Sequence, residues 1–423
     1  MTKFNLFKKK TYKFESFDML QRIFIDKKYS NSMMRFIIKL NGKLDMEQFK
    51  KTVQLTIDIF PIISSRSCEG MFTSKWEFEK IPLEDFICVI EGKEGKEDEI
   101  LMDNFFKNID FDNGPHIRFV IVQYPDHDSL LILINHMICD ATDFKNLLYM
   151  FCDLYSHPEN AKNYSLMEDR GFMQIFRSLS FKNNLNILSS KEKEHEITPL
   201  DLKGDPNHPF LEKRSLTQDD FDKLKAYSKE KQVTLNDLFF TALMRTFYKI
   251  FNKTVVILCD VNLRKYLPNK QSKGFSNILT VVDCDIGSEV GNTFEETLSK
   301  VSECLKREKD NISYLKGMLL TEIIKICLPY KISKNIIDKS YSPYPLELTN
   351  LGIIDKSKVH FKDVEASSVL LTGSTKSAPV FEMSVCTFDK ILSFCVGLYG
   401  TPEDQKVIGD VLDNFIQELT SII

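Results

Sequence analysis

The sequence predicts an α/β fold in two halves, in which strands alternate with covering helices. Short apolar runs at residues 130–134 and 255–259 have the length and composition of buried strands. Residues 44–60 and 235–250 repeat their apolar side chains at helical spacing instead. With 423 residues, 43% of them apolar, the chain is long enough to build two domains of ordinary size.

Turn and proline signals separate the elements of the first half. Asn41 and Gly42 form a strong turn pair after a strand, Pro61 ends a helix, and Pro82 divides two short strands. In order, we expect a helix over 14–25, a strand over 33–40, a helix over 44–60, strands over 76–81 and 86–90, a hairpin of 117–123 with 130–134, and a helix with Thr142 or Asp143 as its N-cap.

Capping pairs mark two helices of the second half: Thr217 with Asp220, and Thr234 with Asp237. A polar, turn-rich stretch precedes them, so we predict an N-terminal domain over residues 1–165, a crossover over 166–204 and a C-terminal domain over 205–423. We expect helices over 217–231, 235–250, 294–305 and 403–419, and strands over 255–259, 277–286, 382–387 and 391–398.

Composition argues against several classes of function. The net charge of −4 disfavours a nucleic-acid partner. The ten cysteines lack metal-ligand spacing, and Cys259, Cys386 and Cys395 lie in apolar runs, so we expect buried thiols, with no metal and no disulfide framework. No apolar run approaches the roughly 18 residues that span a bilayer, and the first residues lack a signal-peptide core. We therefore expect a cytoplasmic protein without a membrane span.

The stretch over residues 130–155 carries the chemistry. Its buried strand leads into Asn135 and His136, and Asp140 follows before the helix. Strand alternation puts Asn135 and His136 on opposite faces, so only one of them faces a given cleft. Imidazole is suited to accept a proton near neutral pH, whereas Asp140 either orients the imidazole or braces the loop by pairing with an arginine. An acid four residues after a histidine is common by chance, so the spacing alone is weak evidence.

Residues 135–141 (NHMICDA) resemble the HHxxxDG motif of the CoA-dependent acyltransferase superfamily, which includes chloramphenicol acetyltransferase, peptide-synthetase condensation domains, and BAHD and alcohol acetyltransferases. Residues 113–119, 260–264, 274–277 and 348–352 resemble its GPLxR, VNLR, GNxSN and SNLG segments in the same order. The ordered set spans almost the whole chain. It implies an α+β sandwich of two chloramphenicol-acetyltransferase-like subdomains, with the active-site tunnel between them.

The resemblance also implies an acyltransferase reaction. His136 would be the general base that deprotonates an alcohol or amine, which then attacks an acyl-CoA or acyl-carrier thioester. Asp140 would pair with an arginine, for which Arg264 is the first choice and Arg66 the second. The expected partners are a small-molecule acyl acceptor and, as a further candidate, an acyl or peptidyl carrier protein; no bound cofactor is expected.

The remaining site residues are less specified. Ser276 or Asn277, or a backbone N–H near Ala141, would donate to the developing oxyanion. Asn350 would line the tunnel or occupy a simple turn. The motif departs from its family pattern at Asn135 and at Ala141, so the alternative is a catalytically silent homologue that binds a carrier protein or ligand as a scaffold. A trimer like chloramphenicol acetyltransferase is disfavoured, because its subunits have one such lobe.

Overall fold

The computed structural model describes residues 11–164, 169–190, 196–272, 274–341 and 343–423. The strands are β1 (Thr11–Lys13), β2 (Met33–Leu40), β3 (Ser65–Glu69), β4 (Ser74–Phe78), β5 (Ile87–Glu91), β6 (Ile117–Gln123), β7 (Asp128–Asn135), β8 (Pro209–Leu216), β9 (Ile257–Asn262), β10 (Leu279–Cys284), β11 (Leu346–Ile354), β12 (His360–Phe361), β13 (Val364–Thr372), β14 (Lys376–Ser377), β15 (Phe381–Phe388) and β16 (Ile391–Tyr399). The α-helices are α1 (Ser16–Asp26), α2 (Met46–Ile59), α3 (Leu83–Phe86), α4 (Glu97–Phe105), α5 (Ala141–Ser156), α6 (Met173–Ser178), α7 (Phe181–Ser189), α8 (Gln218–Glu230), α9 (Leu235–Phe251), α10 (Phe294–Asp310), α11 (Lys316–Cys327), α12 (Tyr330–Ser340) and α13 (Pro402–Thr420).

The N-terminal half is built on a sheet with the strand order β12-β13-β2-β7-β6-β5. Its central strands β2 and β7 are buried almost throughout, because both consist mainly of large aliphatic residues. Helices α2 and α5 pack against each other over this sheet. Between them lies an aromatic core in which the ring centroid of Phe49 is 5.4 Å from Phe119 and 5.1 Å from Phe151.

The C-terminal half is built on a second sheet with the order β10-β9-β11-β15-β16-β14, and β8 pairs with β16. Helices α9, α10 and α13 pack together against it. The N-terminal and C-terminal halves have separate hydrophobic cores, centred on residues such as Phe119 and Phe394. A small sheet of β1, β4 and β3 flanks the first half.

Strands β12 and β13 depart from the predicted division of the chain. They come from the C-terminal half of the sequence, yet β13 pairs antiparallel with β2 along its length and so joins the N-terminal sheet. Residues 360–372, which fall within the predicted C-terminal domain over 205–423, thus belong to the N-terminal sheet. Apolar periodicity identifies a strand but not the sheet it joins.

Many predicted elements are present, including β2, the β6–β7 hairpin, and α8 and α9 with their capping boxes. The predicted N-cap of α5 was wrong: Asp140 caps the helix, because its Oδ1 accepts the backbone N–H groups of Thr142 and Asp143. Buried free thiols are found at Cys259, Cys386 and Cys395, as predicted. Within the described residues, no helix is long and apolar enough to cross a bilayer.

Candidate functional site

His136 lies directly after β7, where the strand meets the loop that leads to α5. Its backbone N–H donates to the carbonyl of Ser32 at 2.8 Å, which anchors it to the residue before β2. Its ring Nδ1 is 2.9 Å from the carbonyl oxygen of Cys139. A carbonyl oxygen only accepts hydrogen bonds, so Nδ1 carries the proton and Nε2 carries the lone pair.

The surroundings of His136 favour its neutral form. Burial lowers the pKa of His136, and the charge of Lys376 acts in the same direction, while Asp140 and Glu382 act against it. The Phe17 ring, 5.8 Å from the imidazole, supplies part of the apolar cover. At neutral pH the imidazole is therefore unprotonated, as a general base must be.

Asp140 turns away from the imidazole and forms the ion pair expected with Arg264. Its Oδ2 is 2.7 Å from a guanidinium nitrogen of Arg264 and also accepts the N–H of Ile278, while its Oδ1 caps α5. A second nitrogen of Arg264 lies 2.9 Å from Asp143. Burial and the neighbouring Asp140 raise the pKa of Asp143 to about 7. These contacts tie β9, β10 and α5 together beside His136.

Arg66, the second choice of partner for Asp140, lies elsewhere. It pairs with Glu77 and Glu79 at 3.4 and 3.7 Å, and its side chain is 47% exposed. That part of the prediction is wrong, because β3 belongs to the small flanking sheet.

Ser276 and Asn277 hold the backbone around His136. The Ser276 carbonyl accepts the N–H of Asp140, and its hydroxyl donates to Gly274. The Asn277 amide donates to the carbonyls of His136 and Met137 at 2.8 and 3.1 Å. Their donors are thus engaged within the protein, and neither residue lines the cavity that contains His136. In this geometry the side chains of Ser276 and Asn277 support the backbone next to His136.

Asn350 occupies a bulge in β11, where the register with β15 shifts between Asn350 and Gly352. Its side chain is exposed, accepts the Gly352 N–H and reaches Asn236 at 3.3 Å. It does not line the cavity. These contacts support the turn-like role for Asn350.

The two departures from the motif have clear structural roles. The Asn135 side chain is fully buried, away from the cavity; its Oδ1 accepts the Met137 N–H and its amide lies 3.1 Å from Nδ1 of His116. Ala141 lines the cavity as the first residue of α5, with φ outside the positive region. The methyl group of Ala141 therefore causes no backbone strain.

A buried arginine that the sequence analysis missed supports the same loop. Arg170 donates to the carbonyls of Met137 and Ile138 at 3.3 and 3.2 Å and to that of Phe275 at 2.9 Å. It also forms a buried two-pronged ion pair with Asp18. Arg170 lies in the predicted crossover, where no periodic pattern marks a residue as buried. A single arginine in a polar stretch carries no signal of this role.

The cavity next to His136 has a volume of about 380 Å³ and lies between the two halves. Helix α1 and the loop around His136 form one wall, and strands β9, β10 and β11 form the opposite wall. Four charged residues on that side escaped the sequence analysis: Asp260, Glu347, Lys376 and Glu382. A signal existed for the acids, since each interrupts a run that is otherwise largely apolar, as in LELT and FEMSV.

A second, larger cavity of about 810 Å³ reaches the first turn of α5. Thr142, Asp143 and Arg264 line it together with Lys270 and Lys358. Within the described residues, no group of three or more histidine, cysteine or acidic side chains is arranged to hold a metal ion.

The comparisons with known proteins find the same fold. No protein-family model and no curated protein sequence matches the chain. Among solved structures, trichothecene 15-O-acetyltransferase from Fusarium sporotrichioides is 9% identical with a TM-score of 0.69, and the match covers 97% of this chain and 95% of that one. Polyketide synthase associated protein 5 from Mycobacterium tuberculosis is 13% identical with a TM-score of 0.66, covering 97% of both chains.

The first condensation domain of the calcium-dependent antibiotic synthetase is 12% identical with a TM-score of 0.66, over 96% of this chain and 94% of that one. The predicted fold is thereby confirmed: the chain has the two-lobed architecture of the condensation domains and acetyltransferases that its motifs resemble.

Proposed function

We propose that this protein is an acyltransferase that moves an acyl group from a CoA or carrier-protein thioester to an alcohol or amine. One observation carries the proposal: the Nε2 lone pair of His136 is free beside an internal cavity, while Nδ1 is held by Cys139. The fold shared with an acetyltransferase and a condensation domain supports the same reaction class.

In the proposed reaction, Nε2 of His136 takes the proton of the acceptor hydroxyl or amine. The freed electron pair attacks the thioester carbonyl, the bond from carbon to sulfur breaks, and an ester or amide bond forms. The proton on Nε2 then passes to the departing thiolate, so the imidazole ends neutral. General base catalysis of this kind typically contributes about 10²–10⁴-fold. Holding both reactants in adjoining cavities contributes the entropic part of the acceleration.

For the oxyanion we propose the backbone N–H of Ala141. Ser276 and Asn277 spend their donors on the protein, and Asp140 accepts the N–H groups of Thr142 and Asp143 but not that of Ala141. The first N–H of a helix is unpaired within the helix and sits at its positive end. Because Ala141 also lines the cavity, its N–H is close to where charge develops.

We assign the larger cavity to the thioester donor. Thr142 and Asp143 line it, and their neighbour Ala141 lines the His136 cavity, so the two reactants would meet at the start of α5. Lys270 and Lys358 at its wall provide positive charge for the phosphates of CoA or of a carrier-bound pantetheine arm.

The alternative, a catalytically silent scaffold, rested on Asn135 and Ala141. The buried Asn135 side chain faces away from the cavity, so the histidine that it replaces is not needed as a reacting group there. Ala141 keeps its N–H. Both observations favour the enzyme.

The test is release of free thiol from a panel of acyl-CoA thioesters in the presence of mixed alcohols and amines. His136→Ala should lower turnover by about 10²–10⁴-fold. The matched control is His127→Ala, a turn residue that pairs with the exposed Asp126 and should keep wild-type turnover. Equal background in the wild type and His136→Ala, with thioester still bound, would overturn the enzyme and favour the scaffold.

A further inference from the structure

The wall of the His136 cavity contributed by the C-terminal half contains a mixed-charge cluster. The parallel register of β11 and β15 places Glu347 directly opposite Glu382, and Asp260 comes from the adjacent strand β9. Lys376 lies 2.6 Å from Glu382, and these two side chains are 13% and 9% exposed. All four residues line the cavity. The strand register therefore concentrates three carboxyl groups and one ammonium group at one end of it.

The charges of this cluster do not balance. Lys376 is the only lysine or arginine among the described residues that line the cavity, and it offsets Glu382. The carboxyl groups of Asp260 and Glu347 are hydrogen-bonded to each other. Burial raises the pKa of Asp260 to about 6 and that of Glu347 well above its usual range, so the pair shares one proton. One negative charge remains without a cation, and a buried charge of this kind favours an oppositely charged ligand.

A second observation points to a ligand at the same place. Ser374 lines the cavity, is only 6% exposed, and its hydroxyl has no hydrogen-bond partner among the described residues. Because the rest of this residue is buried, its hydroxyl opens onto the cavity and can form a hydrogen bond with a ligand there. Its neighbour Gly373 lies against Glu382, whose Oε1 would be 2.5 Å from an added Cβ. Ser374 therefore lies next to the charged cluster, and not among the apolar residues of the cavity wall.

From the charge excess, the unpaired hydroxyl and the adjoining imidazole, we infer that the acyl acceptor carries an ammonium group in addition to its nucleophile, as in an amino alcohol or a diamine. This inference rests on the proposed acyltransferase function, whose acceptor class it names. The Asp260–Glu347 pair binds the ammonium and Ser374 accepts one of its hydrogens, while the nucleophile at the other end reaches His136. Leu258 of β9 and the aliphatic residues of β10 and β11 that line the cavity suit the methylene chain between the ammonium group and the nucleophile. A divalent metal fits less well, because Lys376 would repel it.

The experiment compares amino alcohols of three to six carbons with the diols of equal length, which differ only in replacing the ammonium by a hydroxyl. With a thioester that the enzyme accepts, kcat/KM should be at least tenfold higher for the best amino alcohol. In Asp260→Asn/Glu347→Gln this preference should fall below threefold, because the KM for the amino alcohol rises toward that for the diol. Glu347→Gln alone should keep most of the preference, because Asp260 still carries the negative charge. Glu365→Gln, on an exposed residue of β13, is the matched control.

Calorimetric titration with 1,4-diaminobutane, without any thioester, separates this inference from the proposed function. Binding by the wild type that is lost in the double variant supports the cation site even if no acyl transfer is found. Turnover with equal efficiency for amino alcohols and diols overturns the inference while the acyltransferase stands. The wild-type comparison alone decides this point if the double variant does not fold.

Discussion

Removing Arg264 tests whether the ion pairs beside His136 hold the site together. In Arg264→Met, Asp140 and Asp143 lose partners at 2.7 and 2.9 Å, although their side chains are only 2% and 9% exposed. Leaving a buried carboxylate without its partner costs about 3–5 kcal/mol, so we expect the free energy of unfolding to fall by that amount at pH 6.

The loss should grow with pH. The pKa of Asp143, raised by burial and by Asp140 to about 7, is held down by Arg264 and would rise further without it. Below pH 7, Asp143 is largely protonated in both proteins. Above pH 7 it ionises in the wild type, whereas the folded variant keeps a proton that its unfolded state has released. The difference in stability then increases by up to about 1.4 kcal/mol per pH unit.

Urea denaturation at pH 6 and pH 8 measures both effects, followed by far-UV circular dichroism and by the fluorescence of Trp76, the single tryptophan, which is buried in the N-terminal core. Arg66→Met is the matched control: it breaks contacts with Glu77 and Glu79 from an exposed side chain and should change the free energy of unfolding little. An Arg264→Met loss no larger than this control, or one that shrinks from pH 6 to pH 8, would refute the reasoning.

Three further predictions concern His116, Arg170 and Ala141. Burial lowers the pKa of His116 to about 4, so between pH 6.5 and pH 4 the unfolded state binds a proton that the folded state does not. Lowering the pH over this range should therefore reduce the free energy of unfolding by about 3 kcal/mol. In His116→Gln the melting temperature should depend less on pH between 6.5 and 4. Arg170→Met leaves the buried Asp18 without its ion-pair partner and should lower the free energy of unfolding by about 3–5 kcal/mol. Arg177→Met, which changes an exposed side chain, should have little effect in the same urea titration. Equal effects of the two variants would contradict a supporting role for Arg170. Ala141→Gly keeps the backbone N–H, so kcat/KM should change less than tenfold, and a near-complete loss would show that the methyl group itself is needed.

The order of strands and helices was predictable because local signals decide it. The apolar run MMRFIIKL predicts a buried strand, and it forms β2. The capping box of Thr234 and Asp237 marks the start of α9 through a contact between residues only three apart. The neighbouring site residues His136, Asp140 and Arg264 could be named because they fall in motifs that resemble one family. Of these, the Asp140–Arg264 contact is present as predicted.

The features that could not be predicted are contacts between residues that lie far apart in the sequence. Strand β13 joins β2 across more than three hundred residues, and nothing in its own pattern names that partner. The cluster of Asp260, Glu347 and Glu382 forms only when three strands come into register. Ser276 and Asn277 were expected to contact the substrate because they lie in a motif, but their donors are used by the backbone around His136.

The path of β12 and β13 has a consequence for how the molecule comes apart. The chain builds the first sheet, leaves for the second, returns to add two strands to the first, and ends in the second. A cut within the crossover would thus leave the N-terminal fragment without β12 and β13, which stay on the C-terminal fragment, whereas every strand of the second sheet remains on the C-terminal fragment. The N-terminal fragment should therefore refold only together with the C-terminal one, and the two should remain associated. Because β13 pairs with β2, it also limits how far the two lobes can separate. A ligand of the His136 cavity should therefore enter through movements of local segments such as α1, which lines the cavity, rather than by wide opening of the cleft.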